Sequence, residues 1–223
     1  MEESNLSIHT FVDASKTASA ACIFLSSQSS MGSVTLQLLQ ARSRIAPMKT
    51  ITRLELMAAV IGTRPFSSMK QALKLPYIKT YFLTDSSTVL TWITRRDQWS
   101  VFVTNRISEI RKLTTLDDWL HISTDQNPAD SLSRGCGPKQ LQNWKRWQGP
   151  AWLQNPKERW RKSAVNIDEK EVEIEKRKDR VFDRLICLEK GKISSKIAQL
   201  RTRHKVGQEL TSLCIRKNEE EWS

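Results

Sequence analysis

The chain has 223 residues, a hydrophobic content of 39% and a formal net charge of +12 at pH 7. This length and composition predict a globular protein with one domain of ordinary size and an additional segment, and they exclude a wholly disordered chain. No apolar run approaches the roughly 20 residues that a membrane-spanning helix needs, so we expect no membrane association. The positive charge favours a polyanionic partner such as nucleic acid.

The charge is unevenly distributed along the chain. Residues 139–223 contain 21 Lys and Arg against 13 Asp and Glu, and so carry +8 of the total. The cysteines are far apart and show no metal-binding spacing, and the amino terminus has no secretory signal. The four are Cys22, Cys136, Cys187 and Cys214. We therefore expect reduced thiols in an intracellular protein, cytoplasmic or nuclear and not secreted.

Three consecutive strands are predicted at the start of the chain. Residues 7–13 and 18–25 are apolar or alternate in polarity, and a Ser/Gly turn separates them from a third such run over residues 34–45. Strands joined by short links pair antiparallel. Asp13 therefore stands at the end of the first strand.

A helix is predicted after this strand region. Apolar residues recur there at helical spacing: Leu54, Met57, Ala58 and Ile61. Glu55 adjoins this stripe and can face the edge of a sheet. Proline cannot donate a helical hydrogen bond, so Pro65 is expected to kink or end the helix near Arg64, with a second helical piece over residues 66–73.

Strands and helices then alternate. Two further strands are predicted over residues 78–83 and 119–122, and helices over 86–94 and 102–113. Asp85 lies where a strand ends and a helix begins, which is where α/β folds place their chemistry. Asp130 opens a short segment that stops at Gly135. This order predicts an α/β fold with a five-stranded mixed sheet, three antiparallel strands first, flanked by helices, with the first strand beside the fourth.

The character of the sequence changes after residue 138. Residues 139–164 contain Trp144, Trp147, Trp152 and Trp160 among Gly and Pro. This Trp-rich extension packs on the domain or leaves it, and packing is favoured because clustered Trp side chains bury area. Residues 165–223 mix charges densely, which predicts a basic tail that is helical or partly disordered.

Four carboxylates occupy similar places in the predicted elements: Asp13, Glu55, Asp85 and Asp130. Each taken singly is also consistent with a turn former, a solvated helix residue or a helix cap. In this topology, however, the four converge, and they would repel one another unless divalent cations neutralised them. Mg²⁺ and Mn²⁺ prefer such oxygen ligands, and two ions sharing them support phosphodiester hydrolysis.

The local sequence around each carboxylate adds a further signal. Four stretches carry it: Asp13-Ala14-Ser15, Thr52-Arg53-Leu54-Glu55-Leu56-Met57-Ala58-Ala59, Thr84-Asp85-Ser86 and Asn127-Pro128-Ala129-Asp130-Ser131-Leu132-Ser133-Arg134. Together they resemble the type 1 ribonuclease H family. More narrowly, they resemble the ribonuclease H domain of Bel/Pao-type LTR retrotransposons, down to the Gly-Pro-Ala-Trp-Leu run at 149–153. The resemblance covers about residues 7–153.

This resemblance implies a ribonuclease H-like domain over residues 1–138 that hydrolyses the RNA strand of RNA/DNA hybrids with two Mg²⁺ ions, Mn²⁺ being a substitute. It implies metal ligation and catalysis by Asp13, Glu55, Asp85 and Asp130. It places Ser15 and Ser86 near the nucleic-acid backbone and gives Arg53 and Asn127 contacts to substrate or to the fold. The implied partners are the hybrid and a reverse transcriptase polyprotein, and the chain is expected to be a fragment or remnant of a larger element.

One departure from the family and two alternatives bear on function. Residues 123–126 lack the mobile histidine that cellular relatives keep in this loop, and His121 on the preceding strand is expected to be structural. A catalytically inactive or domesticated remnant that binds nucleic acid through its basic tail and Trp residues is one alternative. An integrase or transposase is disfavoured, because there the essential Glu comes last, whereas Glu55 lies between the first two aspartates.

Overall fold

The described part of the chain is built on a five-stranded sheet. The computed structural model describes residues 5–46, 50–73, 78–135, 149–155, 160 and 165–176. The strands are β1 (Asn5–Ala14), β2 (Ala18–Gln28), β3 (Val34–Ile45), β4 (Lys79–Thr84) and β5 (Trp119–His121). The helices are α1 (Ile51–Leu73), α2 (Ser87–Thr94), α3 (Val101–Leu113), α4 (Ala129–Arg134) and α5 (Glu169–Ile174).

The sheet has the strand order β3-β2-β1-β4-β5. β2 pairs antiparallel with both β1 and β3, whereas β4 pairs parallel with both β1 and β5. β1 is therefore the central strand. The predicted α/β fold is confirmed, including the mixed sheet, its three antiparallel strands and the placement of the first strand beside the fourth.

Side chains alternate along β1 and bury both faces of the sheet. Ile8 and Val12 belong to the main core cluster, which includes the apolar stripe of α1. Phe11 points to the other face, where it meets the ring of Phe24 edge-on with centroids 5.9 Å apart. α1, α2 and α3 therefore cover one face, and the other face, to which α4 contributes Ala129, needs a further cover.

Part of the predicted Trp-rich extension contributes to that cover. Trp152 lies edge-on to Phe11 with centroids 5.9 Å apart, and the neighbouring Leu153 is buried. Trp160 lies 5.4 Å from the ring of His9. Trp144 and Trp147 lie outside the described residues.

α1 runs without interruption from Ile51 to Leu73 and contains Pro65. Of the two outcomes expected at Pro65, an end of the helix near Arg64 is therefore wrong, and a kink stays a prediction. Tertiary packing holds the second half in place, because Phe66 is buried and lies edge-on to Phe82 of β4, with ring centroids 4.9 Å apart. This contact outweighs the local cost of a proline that cannot donate to the preceding turn.

All described residues fall within one compact unit that ends at Lys176. Residues 177–223, most of the predicted tail, lie outside the described residues, as do Cys136, Cys187 and Cys214. None of the helices in the described part of the chain is both long and apolar enough to cross a membrane. The limits predicted for the three segments stay predictions.

Gly62 permits the close approach of α1 to β1, and replacing it should destabilise the fold. A methyl group at Gly62 would lie 2.7 Å from Cγ1 of Val12 and 3.0 Å from Cγ2 of Thr10. Such overpacking costs about 1–3 kcal/mol, whereas glycine-to-alanine in a helix gains about 1 kcal/mol. We expect Gly62→Ala to lower the free energy of unfolding by about 1 kcal/mol, measured by urea denaturation.

Ser68→Ala on the exposed side of the same helix is the control and should change stability by less than about 0.5 kcal/mol. A Gly62→Ala variant as stable as the wild type would contradict the close helix–sheet contact.

Candidate active site

The central pair of strands brings two carboxylates to the same edge of the sheet. Val12 and Thr84 form the last pair of the parallel β1–β4 ladder. Asp13 follows Val12 directly, and Asp85 follows Thr84. The two aspartates lie close enough for electrostatic repulsion from Asp85 to raise the pKa of Asp13.

Glu55 reaches this edge from α1. The helix is tied to the sheet at this point, because the Ser19 hydroxyl of β2 donates a hydrogen bond to the Leu54 carbonyl oxygen at 2.9 Å. The Glu55 carboxylate accepts a hydrogen bond from Ser86 and lies within electrostatic range of Asp85. Glu55 therefore approaches the two strand ends from the helical face.

Asp130 reaches the edge from α4. The turn between β1 and β2 holds this short helix, because the Ser15 and Thr17 hydroxyls donate to the Ser133 carbonyl oxygen at 2.6 and 3.1 Å. Asp130 lies close enough to Asp13 to raise its pKa by electrostatic repulsion. The four carboxylates that the sequence singles out thus lie at this edge, linked by electrostatic repulsion between Glu55 and Asp85, Asp85 and Asp13, and Asp13 and Asp130.

Burial and mutual repulsion change the acidity of two members of this carboxylate cluster. Burial raises the pKa of Asp13 to about 7, with repulsion from Asp85 and Asp130 adding to the effect and a hydrogen bond from Ser133 opposing it. Burial likewise raises the pKa of Glu55 to about 7, with repulsion from Asp85 adding and a hydrogen bond from Ser86 opposing. The site therefore favours either protons or cations beside these groups.

Neighbouring side chains already bind several of the carboxylate oxygens. Ser133 donates to Oδ2 of Asp13, and Arg134 Nε donates to Oδ1 of Asp130 at 2.6 Å. Asn127 Nδ2 lies 3.3 Å from Oδ1 of Asp85. These contacts lessen the repulsion between the four groups.

The donor set suits a hard divalent cation, since it consists of carboxylate oxygens. In their present rotamers, however, no three Asp, Glu, His or Cys side chains of the described residues are grouped closely enough to hold one ion. Ser133 and Arg134 account for part of this, because they direct oxygens of Asp13 and Asp130 toward protein donors. A bound cation would compete with these two donors.

The residues predicted to contact nucleic acid all have partners within the protein. Ser15 lies in the β1–β2 turn, and Ser86 caps α2 by accepting a hydrogen bond from the Val89 amide at 3.2 Å. Asn127 is buried and donates to the Val12 carbonyl oxygen at 2.9 Å, and Arg53 pairs with Glu175. Their contacts to nucleic acid stay predictions.

His121 lies beside the cluster on β5. Its Nε2 donates to the Asp85 carbonyl oxygen at 3.1 Å, which fixes the backbone at the point where the chain leaves β4. This contact agrees with the structural role expected for His121.

Sequence reasoning gave no role to three residues that contact or border the carboxylate cluster. Ser133 and Arg134 follow Asp130 by three and four positions, and helical spacing could have indicated that they reach its side of the helix. Glu171, whose charge contributes to the raised pKa of Glu55, lies far along the chain and has no local signal.

Residues 1–86 match the family model of the Pao retrotransposon-like RNaseH-like domain. This range contains Asp13, Glu55 and Asp85 and ends before Asp130. The predicted relationship to Bel/Pao retrotransposons is thereby confirmed for this part of the chain. A comparison with curated proteins gives no match.

Among solved structures, the chain is similar to LC11-RNase H1 in complex with an RNA/DNA hybrid, at 16% identity and a TM-score of 0.41, over 61% of this chain and 99% of that chain. It is similar to RNase H1 from the halophilic archaeon Halobacterium salinarum NRC-1, at 16% identity and a TM-score of 0.38, over 62% and 98%. It is also similar to the amino-terminal RNase H domain of a Mycobacterium tuberculosis protein, at 15% identity and a TM-score of 0.38, over 62% and 96%.

Asn127→Ala should destabilise the protein, because the amide joins three parts of the site. Asn127 donates to Val12 and Asp85, and its Oδ1 accepts from the Ala129 amide at 3.1 Å. Losing these buried partners should lower the free energy of unfolding by about 2 kcal/mol. Asn105→Ala on the exposed face of α3 is the control. Equal stabilities of the two variants would contradict this positioning role.

The pH dependence of stability should reveal the raised pKa values of Asp13 and Glu55. As pH rises from about 4 to about 7, these carboxyls ionise in the unfolded chain while they stay protonated in the fold. Stability from this source is therefore fully present below about pH 4 and is lost as pH rises through about 7. In EDTA, the wild type should lose several kcal/mol across this window relative to the Asp13→Asn, Glu55→Gln double variant, since each tenfold change in acidity corresponds to about 1.4 kcal/mol.

Asp117→Asn, at an exposed aspartate, should follow the wild-type dependence. Parallel stability curves for the wild type and the double variant would contradict the raised pKa values.

Proposed function

We propose that this chain is a ribonuclease H-like endonuclease that hydrolyses the RNA strand of RNA/DNA hybrids and derives from the polyprotein of a retrotransposon. The observation that carries the proposal is the convergence of Asp13, Glu55, Asp85 and Asp130 at one edge of the sheet. The match of residues 1–86 to the Pao retrotransposon-like RNaseH-like family supports it. The order of the motifs along the chain supports it as well.

The four carboxylates would hold two Mg²⁺ ions, or Mn²⁺ ions in their place. Bound ions of this kind activate a water molecule and stabilise the leaving oxygen in phosphodiester hydrolysis. The sheet holds Asp13 and Asp85 in a fixed relation, while Glu55 and Asp130 come from helices on either side. This arrangement presents oxygen donors from four separate elements to one location.

The surrounding side chains hold the carboxylates in place for this task. Asn127 fixes Asp85 relative to the end of β1, and Ser86 binds Glu55 while it caps α2. Glu55 and Asp85 thus have limited freedom, which is what positioning of reacting groups requires.

Recognition of a hybrid would depend on its backbone more than on its sequence. Discrimination of a hybrid would rest on contacts to the 2′-hydroxyl groups of one strand and to the phosphates of the other. Ser15 and Ser86, two residues after Asp13 and one after Asp85, would lie near this backbone. Base edges should therefore matter little for cleavage.

A nucleic-acid-binding protein without turnover is the second candidate function. The specific observation in its favour is that Ser133 and Arg134 bind oxygens of Asp13 and Asp130. The +8 charge of residues 139–223 would attract nucleic acid without any need for catalysis.

Cleavage of a labelled RNA/DNA hybrid in Mg²⁺ tests the first proposal. Asp85→Asn keeps the shape of the side chain and removes its charge, so activity should fall by at least about 100-fold. Asp117→Asn, which changes an exposed aspartate away from the cluster, should retain wild-type activity. The readout is the initial rate of release of RNA fragments.

A hybrid that is bound well but left uncut in both Mg²⁺ and Mn²⁺ would overturn the endonuclease proposal. It would favour the binding protein, whose affinity should then fall steeply as salt is raised.

A further inference from the structure

An acidic segment of the chain lies directly beside the candidate active site. Residues 168–175, here called the acidic segment, contain five Asp and Glu against one Lys, within a chain of net charge +12. Asp168 caps α5 by accepting hydrogen bonds from the amides of Lys170 and Glu171 at 3.0 and 3.4 Å. The sequence alone suggested only a solvated or partly disordered tail from residue 165 onward.

Glu171 contacts two helices of the site: α1, which carries Glu55, and α2, which follows Asp85. Its Oε1 accepts a hydrogen bond from the Thr52 hydroxyl at 2.5 Å, and its Oε2 accepts one from the Thr88 hydroxyl at 3.1 Å. Thr52 precedes Glu55 by three residues, and Thr88 follows Asp85 by three. The carboxylate of Glu171 therefore lies at the border of the carboxylate cluster, where its charge adds to the repulsion felt by Glu55.

Glu175 binds the next set of donors along the same surface. Arg53 Nε donates to its Oε1 at 2.5 Å, and the Ser100 hydroxyl donates to its Oε2. The Glu175 side chain is only 7% exposed, whereas the Arg53 side chain is 37% exposed. Arg53 is therefore partly exposed to solvent, while its guanidinium forms an ion pair with the buried Glu175 carboxylate.

Four of the donors that the acidic segment binds form what we call the donor surface: Thr52, Arg53, Thr88 and Ser100. Glu169 binds a further donor, the partly exposed Arg95, which is not part of this surface. Hydroxyl and guanidinium groups are the side chains that bind phosphate oxygens of nucleic-acid backbones. The surface borders Glu55 and Asp85, so the backbone of a nucleic acid placed at the carboxylate cluster has to pass close to it. Carboxylates of the same chain hold these donors instead.

Apolar burial secures the acidic segment only lightly. Val172 is its one buried apolar side chain, and the carbonyl oxygen of that residue accepts a hydrogen bond from Trp92 Nε1 at 3.2 Å. Ile174 is 72% exposed. The segment therefore depends largely on polar contacts, which include a main-chain hydrogen bond from the Ser100 amide to the Glu175 carbonyl oxygen at 2.7 Å. The contacts that a phosphate backbone can replace are those of the Glu171 and Glu175 carboxylates.

We infer that the donor surface binds the phosphate backbone of the nucleic acid and that the acidic segment competes for it, so that substrate binds after Glu171 and Glu175 release their donors. This inference rests on the proposed function for the location of the substrate. It adds a binding surface and an internal competitor to that site.

The test compares affinities for a short RNA/DNA hybrid in EDTA, where no cleavage intervenes, by fluorescence anisotropy at one salt concentration. Glu171→Gln with Glu175→Gln removes two negative charges from the donor surface. We expect this double variant of the full chain to bind the hybrid at least about fivefold more tightly than the wild type. Glu173→Gln with Asp117→Asn removes the same charge from two exposed positions and is the matched control.

Adding Arg53→Gln to the first double variant should abolish the gain, because the released guanidinium is what binds the phosphate. Thermal unfolding of each variant shows that the fold is retained, and Glu171→Gln alone serves if the double variant is unstable. A purely structural role for the acidic segment predicts a lower melting temperature with no change in affinity, which would overturn the inference. An equal gain in the matched control would overturn it too.

These outcomes are separable from those of the cleavage assay. Cleavage in Mg²⁺ together with unchanged affinity in the variants overturns only the competition by the acidic segment. Tighter binding by the Glu171 and Glu175 variant without cleavage by any variant overturns only the endonuclease and supports the donor surface.

Discussion

The parallel pairing of β1 with β4 is the constraint on which the rest of this structure depends. β1 is hydrogen-bonded on both sides, so its carboxyl end cannot move without loss of ladder contacts to β2 or β4. The register places Asp13 and Asp85 one residue beyond the same pair of the ladder. Two like charges are therefore held together by backbone hydrogen bonds, and the neighbouring side chains have to offset their repulsion.

Polar side chains from several elements reach this edge of the sheet and reduce the repulsion between the carboxylates. Ser133 and Arg134 come from α4, Asn127 from the loop before it and Ser86 from the start of α2. Burial still raises the pKa of Asp13 and of Glu55, and repulsion adds to the effect. Retaining such a cluster costs stability, as is common at functional sites.

The sequence predicted the elements whose signals are local. The alternation over residues 34–45 matches β3, and the alternation of strands with helices was sufficient for the sheet topology and hence for the meeting of Asp13 with Asp85. The end of α1 at Pro65 was mispredicted, because the packing of Phe66 on Phe82 is tertiary. The contact between Thr52 and Glu171 could not be predicted, since 119 residues separate them and dense charge gives no pairing rule.

The distribution of charge at the site differs from that of the whole chain. The chain is basic, yet the carboxylate cluster and the acidic segment place negative charge where a polyanionic substrate has to approach under the proposed function. Bound divalent cations would lessen the repulsion at the cluster, and release of the acidic segment would lessen it beside the cluster. Both changes would favour the substrate-bound state of the protein. Linkage then requires that cations raise the affinity for nucleic acid and that nucleic acid raise the affinity for cations by the same factor.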